Sequence, residues 1–127
     1  AVDTGRLVNV KKPQWLGPSY FSSAASAGVS WFTLRGTGTH GLMHVDMHEL
    51  LDTLETVPVG KAFLDLTHTN RGNTSRSRQM AVAAQALGFQ NFFAETHPHP
   101  EKAISDAPNQ LSFVQIEYLL ECLRDAA

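Results

Sequence analysis

The chain has 127 residues, of which 43% are hydrophobic, and its formal net charge is −2. This length and apolar content are typical of one folded domain with a core, and they argue against a disordered chain. The nearly balanced charge gives no reason to expect nucleic acid or an anionic membrane as a partner.

The first half of the chain predicts two strand–helix units. Leu7–Val10 and Val29–Leu34 have the short apolar character of strands, and between them a proline-containing loop precedes a small alanine-rich helix, Ser22–Gly28. Three glycines between positions 36 and 41 predict a flexible connection after the second strand. Asp46 is the predicted N-cap of the next helix, which runs to about position 56.

The second half predicts two further units of the same kind. Ala62–Leu66 is the third strand, a polar loop covers His68–Ser75, and Arg76–Leu87 is the third helix. Phe92–Ala94 is the fourth strand, and the last helix begins at Ser112 after a proline-containing loop. Strands that alternate with helices four times predict an α/β fold with parallel strands, a (βα)4 half of a TIM-type barrel formed by residues 1–127.

Ionisable side chains follow all four predicted strands. Any one of them is typical of a solvated loop, but active sites of parallel βα folds lie where the strands end. The charged groups at the four ends are Lys11 and Lys12, Arg35, Asp65 and His68, and Glu95. Their common position therefore indicates a functional site.

Two groups of these residues have a clear chemistry. Lys11 and Arg35, on neighbouring strands, favour a phosphate or carboxylate. His68, Glu95 and Asp106 offer imidazole and carboxylate ligands for a divalent metal such as Zn²⁺, Mn²⁺ or Fe²⁺. Such a metal polarises a carbonyl group or lowers the pKa of a bound water.

Three other histidines recur with a spacing of four residues, at His40, His44 and His48. On a helix this spacing would align them as metal ligands. The glycines around His40 disfavour a helix there, so we interpret these three side chains as surface groups.

Four segments, in chain order, resemble the last four strands of the 3-deoxy-D-manno-octulosonate-8-phosphate (KDO8P) synthase family of phosphoenolpyruvate-dependent aldolases. Thr4–Trp15 (TGRLVNVKKPQW) resembles the fifth strand, and Leu34–Gly36 (LRG) resembles the sixth. Leu64–His68 (LDLTH) resembles the seventh strand, and Glu95–Pro108 (ETHPHPEKAISDAP) resembles the eighth strand and the loop after it.

The resemblance implies functions for the charged strand ends. Members of this family condense phosphoenolpyruvate with a phosphorylated sugar on a (βα)8 barrel. By resemblance, Lys11 and Arg35 hold phosphoenolpyruvate, and His68, Glu95 and Asp106 match three ligands of the divalent metal. Metal-independent members keep the same three positions as polar groups of the active site.

The chain also departs from the family. It lacks the N-terminal half of the barrel, which supplies a further metal ligand and the contacts to the sugar phosphate, and it has Arg71 where the family has glutamine. We therefore predict a changed, small anionic substrate, bound by Lys11, Lys12, Arg35 and Arg71. The predicted catalytic residues are Lys11, Arg35 and His68.

Three functions are compatible with these features. The first is a KDO8P synthase-like enzyme of aldolase or lyase type, located in the cytoplasm because the single cysteine, Cys122, is typical of a reducing compartment. The second is a non-catalytic binding or assembly subunit, and the third is the C-terminal piece of a split synthase. Two open sheet edges further predict a homodimer or a higher homo-oligomer.

Overall fold

The computed structural model describes residues 1–39 and 42–126. In chain order its strands and helices are β1 (Asn9–Lys11), α1 (Tyr20–Ser26), β2 (Trp31–Leu34), β3 (Thr37–Thr39), β4 (Leu42–His44), α2 (Met47–Thr56), β5 (Ala62–Asp65), α3 (Leu66–Thr69), α4 (Ser75–Ala86), β6 (Asn91–Phe93) and α5 (Phe113–Asp125). The predicted elements are present, and most of their bounds move by one or two residues.

Four of the strands form one sheet in the order β1-β2-β5-β6. All neighbouring pairs in this sheet are parallel, and β2 lies between β1 and β5. Each pair of neighbouring strands is separated in sequence by at least one helix. This topology confirms the predicted α/β class and the half-barrel of four strand–helix units.

The two faces of this sheet have different surroundings. One face packs against the helices and is buried: Phe32, Leu34 and Leu64 are each 1% exposed or less. Full burial of such a side chain contributes about 1.5–3 kcal/mol to folding. Residues from four helices complete this core, namely Phe21 and Ala24, Leu50, Ala81 and Ala84, and Leu119. The opposite face is the one that would line a closed barrel.

Side-chain caps fix the starts of two helices where the sequence predicts them. Asp46 accepts a hydrogen bond from the backbone N–H of Glu49 at 2.8 Å, at the start of α2. Ser112 and Gln115 form a reciprocal capping box at the start of α5. Within the part of the chain that the structure describes, no helix has both the length and the apolar character needed to cross a membrane.

The segment after β2 corrects the predicted flexible connection. β3 and β4 pair as an antiparallel hairpin, with Thr37 opposite His44. Gly36 has φ +79°, and a Cβ at this position would lie 2.5 Å from the carbonyl oxygen of His44, so glycine allows the hairpin to pack closely. Because His44 is on a strand, the helical alignment with His48 does not form, and His40 lies outside the described residues.

A second correction concerns the loop predicted from position 68. A short helix, α3, begins directly after β5. Asp65 is its N-cap, because one carboxylate oxygen accepts hydrogen bonds from the backbone N–H groups of Thr67 and His68 at 2.9 and 3.0 Å. This turn fixes the direction of the chain at the end of β5, where the candidate site lies.

Candidate metal and anion site

Asp65 is the centre of the site, and sequence reasoning assigns it no role beyond that of a charged strand end. Its side chain is fully buried at the end of β5. While Oδ1 caps α3, Oδ2 accepts a hydrogen bond from Lys11 Nζ at 3.0 Å and lies 2.8 Å from His68 Nδ1. One carboxylate therefore fixes the positions of Lys11 and His68 relative to each other. The sequence contains one signal for this role: Asp65 ends an apolar strand and stands three residues before His68.

The contact with Asp65 also decides which edge of the His68 ring faces the site. A carboxylate accepts hydrogen bonds, so His68 Nδ1 carries the proton that it donates to Oδ2. In the neutral ring, Nε2 then has a free lone pair, and it lies 3.9 Å from Asp106 Oδ2. Histidines that bind metals commonly donate their other ring N–H to a carboxylate in this way.

His68, Glu95 and Asp106 come together as the sequence predicts. Their nearest ligand atoms all lie within 4.8 Å of one another. Two ligands about 2.1 Å from a tetrahedral ion are about 3.4 Å apart, so shifts on the order of 1 Å would let all three bind one cation. One imidazole and two carboxylates suit a divalent ion. The chemistry and spacing of this set therefore fit a metal.

The backbone holds the two carboxylates of this cluster from different sides. The N–H of Glu95 donates to Thr67 Oγ1 at 2.7 Å, which joins the end of β6 to the start of α3. Asp106 has φ +51°, a left-handed conformation that is uncommon for a residue other than glycine. Its carbonyl accepts N–H bonds from Asn109 and Gln110 at 2.7 and 3.1 Å, which stabilise this turn.

Lys11 and Arg35 both have hydrogen-bonding capacity left for an anion. Lys11 Nζ lies 3.8 Å from the centroid of the Phe93 ring and donates to Asp65, which leaves part of its three-donor capacity unused. Arg35 Nε is buried and has no hydrogen-bond partner among the described residues. An unsatisfied buried donor costs about 1–3 kcal/mol, which an oxyanion at Arg35 would recover.

Lys12 has a different position from its neighbour, which corrects the expectation that it contacts a substrate. It is fully buried, and its ammonium lies 3.0 Å from Glu49 Oε1 of α2. It also donates to Thr37 Oγ1 at 2.9 Å and to the backbone carbonyl of Leu16. Lys12 lies on the helix-packed face because successive side chains of a strand point to opposite sides of a sheet.

Arg71, the remaining predicted substrate contact, is exposed and lies in the loop after α3. It shares a cleft of about 480 Å³ with His68 and Asp106. The structure thus places Arg71 next to the cluster of His68, Glu95 and Asp106, which we call the metal-type cluster. Lys11 is linked to this cluster by Asp65, which contacts His68.

Comparison with known proteins gives one consistent result. Residues 8–127 match the sequence profile of the DAHP synthetase I family. Proteins named 2-dehydro-3-deoxyphosphooctonate aldolase are among the relatives. The one from Bordetella avium (strain 197N) is 31% identical over 131 residues, an alignment that covers 90% of this chain and 46% of the relative.

Two further relatives with the same name show the same coverage. The protein from Helicobacter hepaticus (strain ATCC 51449 / 3B1) is 31% identical, across 96% of this chain and 54% of its own length. The protein from Rhodopseudomonas palustris (strain TIE-1) is 34% identical, across 98% of this chain and 49% of its own length. The chain therefore spans about half the length of the curated relatives it matches.

Proposed function

This chain belongs to the DAHP synthetase I family, and from that premise we propose that it is an aldolase- or lyase-type enzyme. Its relatives are named 2-dehydro-3-deoxyphosphooctonate aldolase, and we propose the related carbon–carbon bond chemistry on a small anionic substrate, such as phosphoenolpyruvate or a simple carboxylate. The observation that carries this proposal is the convergence of His68, Glu95 and Asp106 at the ends of neighbouring parallel strands.

In this proposal the residues of the cluster have separate functions. Lys11 and Arg35 bind the anionic group and orient the substrate, since both have donors available for it. Asp65 contacts both Lys11 Nζ and His68 Nδ1. This leaves Nε2 of His68 directed toward Asp106. A divalent metal held by His68, Glu95 and Asp106 would supply a Lewis acid for a substrate oxygen.

The donor set narrows the choice of metal. A mixture of one imidazole and two carboxylates suits Zn²⁺, Mn²⁺ or Fe²⁺ better than a soft ion that prefers thiolates. We place the reaction in the cytoplasm, where the free thiol of Cys122 stays reduced. The availability of each metal there then decides among the three.

A second candidate function follows from the length of the relatives. Because the chain spans about half of each of them, it would supply the C-terminal half of a synthase site that a partner or a preceding segment completes. In this case the chain binds the anion and the metal but needs the other half for turnover. In the extreme case the chain takes no part in turnover and is a non-catalytic binding or assembly subunit.

We also propose that the chain forms a homodimer. The end strands of its sheet, β1 and β6, each have one edge without a strand neighbour among the described residues. A twofold pair of half-barrels would place β1 of one copy beside β6 of the other and close an eight-stranded barrel. Light scattering should then give twice the 13.9 kDa mass of one chain, whereas an active species of that single mass would contradict the dimer.

Phosphoenolpyruvate binding tests the main proposal. We expect calorimetric titration of the Mn²⁺-loaded chain to detect binding, and Arg35→Glu to weaken it at least 100-fold by placing a like charge against the anion. The matched control is Arg124→Glu in the exposed last turn of α5, which should bind as the wild type does. Equal binding by the Arg35 variant would refute the proposed site.

Turnover then separates the two candidate functions. The purified chain is mixed with phosphoenolpyruvate and, in separate reactions, with small aldehydes that do or do not carry a phosphate group, and release of inorganic phosphate is followed. Turnover by the chain alone supports the enzyme. Binding that depends on Arg35 but gives no turnover supports the half-site candidate.

A further inference from the structure

The cleft beside the metal-type cluster contains two arginines. Its volume is about 480 Å³, and Arg71 and Arg76 line it together with His68 and Asp106. Arg71 belongs to the loop after α3, and Arg76 belongs to the first turn of α4. Two guanidinium groups, which are permanently charged, therefore share one concave surface with two of the three candidate metal ligands.

Neither arginine forms an ion pair with another described residue. Among the described residues the ion pairs are those of Lys11, Lys12, His68 and His99, and none includes Arg71 or Arg76. Arg78, two residues further along α4, differs because its guanidinium lies 5.4 Å from the ring of Tyr118 on α5. The two arginines of the cleft are thus available to an external anion.

The loops that carry this cleft are tied to each other. Asn70 is fully buried, and its Nδ2 donates to the carbonyl of Asn109 at 2.7 Å. The N–H of Gly72 donates to the side chain of Asn109 at 2.6 Å and to that of Asn70 at 2.9 Å. These bonds hold the backbone on both sides of Arg71 against the loop of Asp106.

Backbone strain is concentrated on the same two walls. Arg71 and Asp106, with φ +57° and +51°, are the non-glycine residues with positive φ in the described chain. Such conformations cost about 1–3 kcal/mol each and persist where the surroundings impose them. Both strained residues line the cleft.

We propose that Arg71 and Arg76 form a second oxyanion site, which takes the phosphate or carboxylate group of the second substrate. This inference rests on the proposed function and extends it to the second substrate of the condensation. Lys11 is connected through Asp65 to the Nδ1 edge of His68, and Asp106 of the cleft lies at its Nε2 edge. Two anionic molecules would therefore approach the cluster from different edges of one imidazole ring.

Orthophosphate binding in an Arg35→Gln background tests this site, because that change weakens the other anion pocket. Calorimetric titration should show a remaining phosphate site that Arg71→Gln and Arg76→Gln each weaken at least tenfold, as loss of a charge-assisted hydrogen bond predicts. Arg78→Gln is the matched control on the same helix and should leave the affinity unchanged. A parallel titration with glycolate identifies the preferred anion: tighter phosphate supports a phosphate monoester as the second substrate, and tighter glycolate supports a carboxylate.

The metal content of the same samples separates this inference from the proposed function. If the chain holds no metal after loading but still binds phosphate through Arg71 and Arg76, the second site is supported. The absence of metal in that case contradicts the proposed metal chemistry. Metal uptake with phosphate affinity that is the same in Arg71→Gln, Arg76→Gln and their parent overturns the second site alone.

Discussion

Lys11 and Lys12 are adjacent in the sequence and lie on opposite faces of the same sheet. Lys12 is fully buried on the helix-packed face, where it pairs with Glu49 of α2. The side chain of Lys11 is 27% exposed on the other face, where it pairs with Asp65 and lies over Phe93. The alternation of a strand thus assigns one lysine to the core and one to the site.

The two faces differ as a whole in the same way. On the helix-packed face the residues of the two inner strands are almost fully buried within the chain, namely Phe32, Leu34, Ala62 and Leu64. On the other face Trp31 remains 39% exposed, and Phe63 and Phe93 are only partly covered. The first face therefore stabilises the half-barrel, and the second is the face to which we assign the proposed substrate and the proposed second half-barrel.

The largest loss of stability is expected when the ion pair between Lys12 and Glu49 on the helix-packed face is broken. Glu49→Ala leaves the ammonium of Lys12 buried with only neutral acceptors, and removal of one partner from a buried ion pair costs about 3–5 kcal/mol. Urea unfolding should show this loss, and Glu55→Ala, an exposed position of α2, should not. The double change Lys12→Met with Glu49→Met should recover most of the stability; an unchanged midpoint for Glu49→Ala would contradict this account of Lys12.

Removal of the Asp65 carboxylate should have an intermediate effect that appears in metal binding. In Asp65→Asn only one acceptor oxygen remains, and when it caps α3 as Oδ1 does, the NH2 group faces Lys11 and His68 Nδ1, so His68 loses the partner that directs its ring. Loss of such a partner weakens metal binding about 10–100-fold. Competition with a chromogenic chelator measures this change, with Asp52→Asn on the exposed side of α2 as the control. Equal affinity in both variants would mean that Asp65 has a structural role only.

The smallest effect on stability is expected at Lys11. Lys11→Met leaves Asp65 with its contacts to His68 and to two backbone N–H groups. The free energy of unfolding should therefore fall by less than about 2 kcal/mol, clearly less than for Glu49→Ala. Phosphoenolpyruvate binding should weaken about tenfold or more. A variant that is strongly destabilised but binds normally would reverse the assigned roles of the two lysines.

The sequence predicts the parallel sheet and the convergence of the cluster because both depend on local patterns. Apolar runs, N-caps and the rule that strand ends share one edge were enough to place His68 and Glu95 near each other, with Asp106 in the loop beyond. The hairpin after β2 was missed because glycine-rich sequences suit both loops and tight turns, and the choice depends on how closely Gly36 approaches His44.

The burial of Lys12 was missed for a different reason. A lysine that follows another lysine at the end of a short strand is usually solvated, and its burial here depends on Glu49, which is 37 positions away in the sequence and belongs to another element. The role of Asp65 was missed for the same reason, because Lys11 contacts Asp65 from β1, which is not a neighbour of β5 in the sheet. Contacts between distant segments decide such roles, and a single sequence does not contain them.

The metal content of the purified chain tests the central claim most directly. Mass-spectrometric metal analysis should find about one divalent ion per chain after dialysis against the metal and then against buffer, and this ion should be lost from Glu95→Gln. Glu101→Gln, in the exposed part of the same loop, should retain it. If neither the wild type nor the control holds stoichiometric metal, His68, Glu95 and Asp106 are not a metal site in this protein, and the account is wrong at its centre.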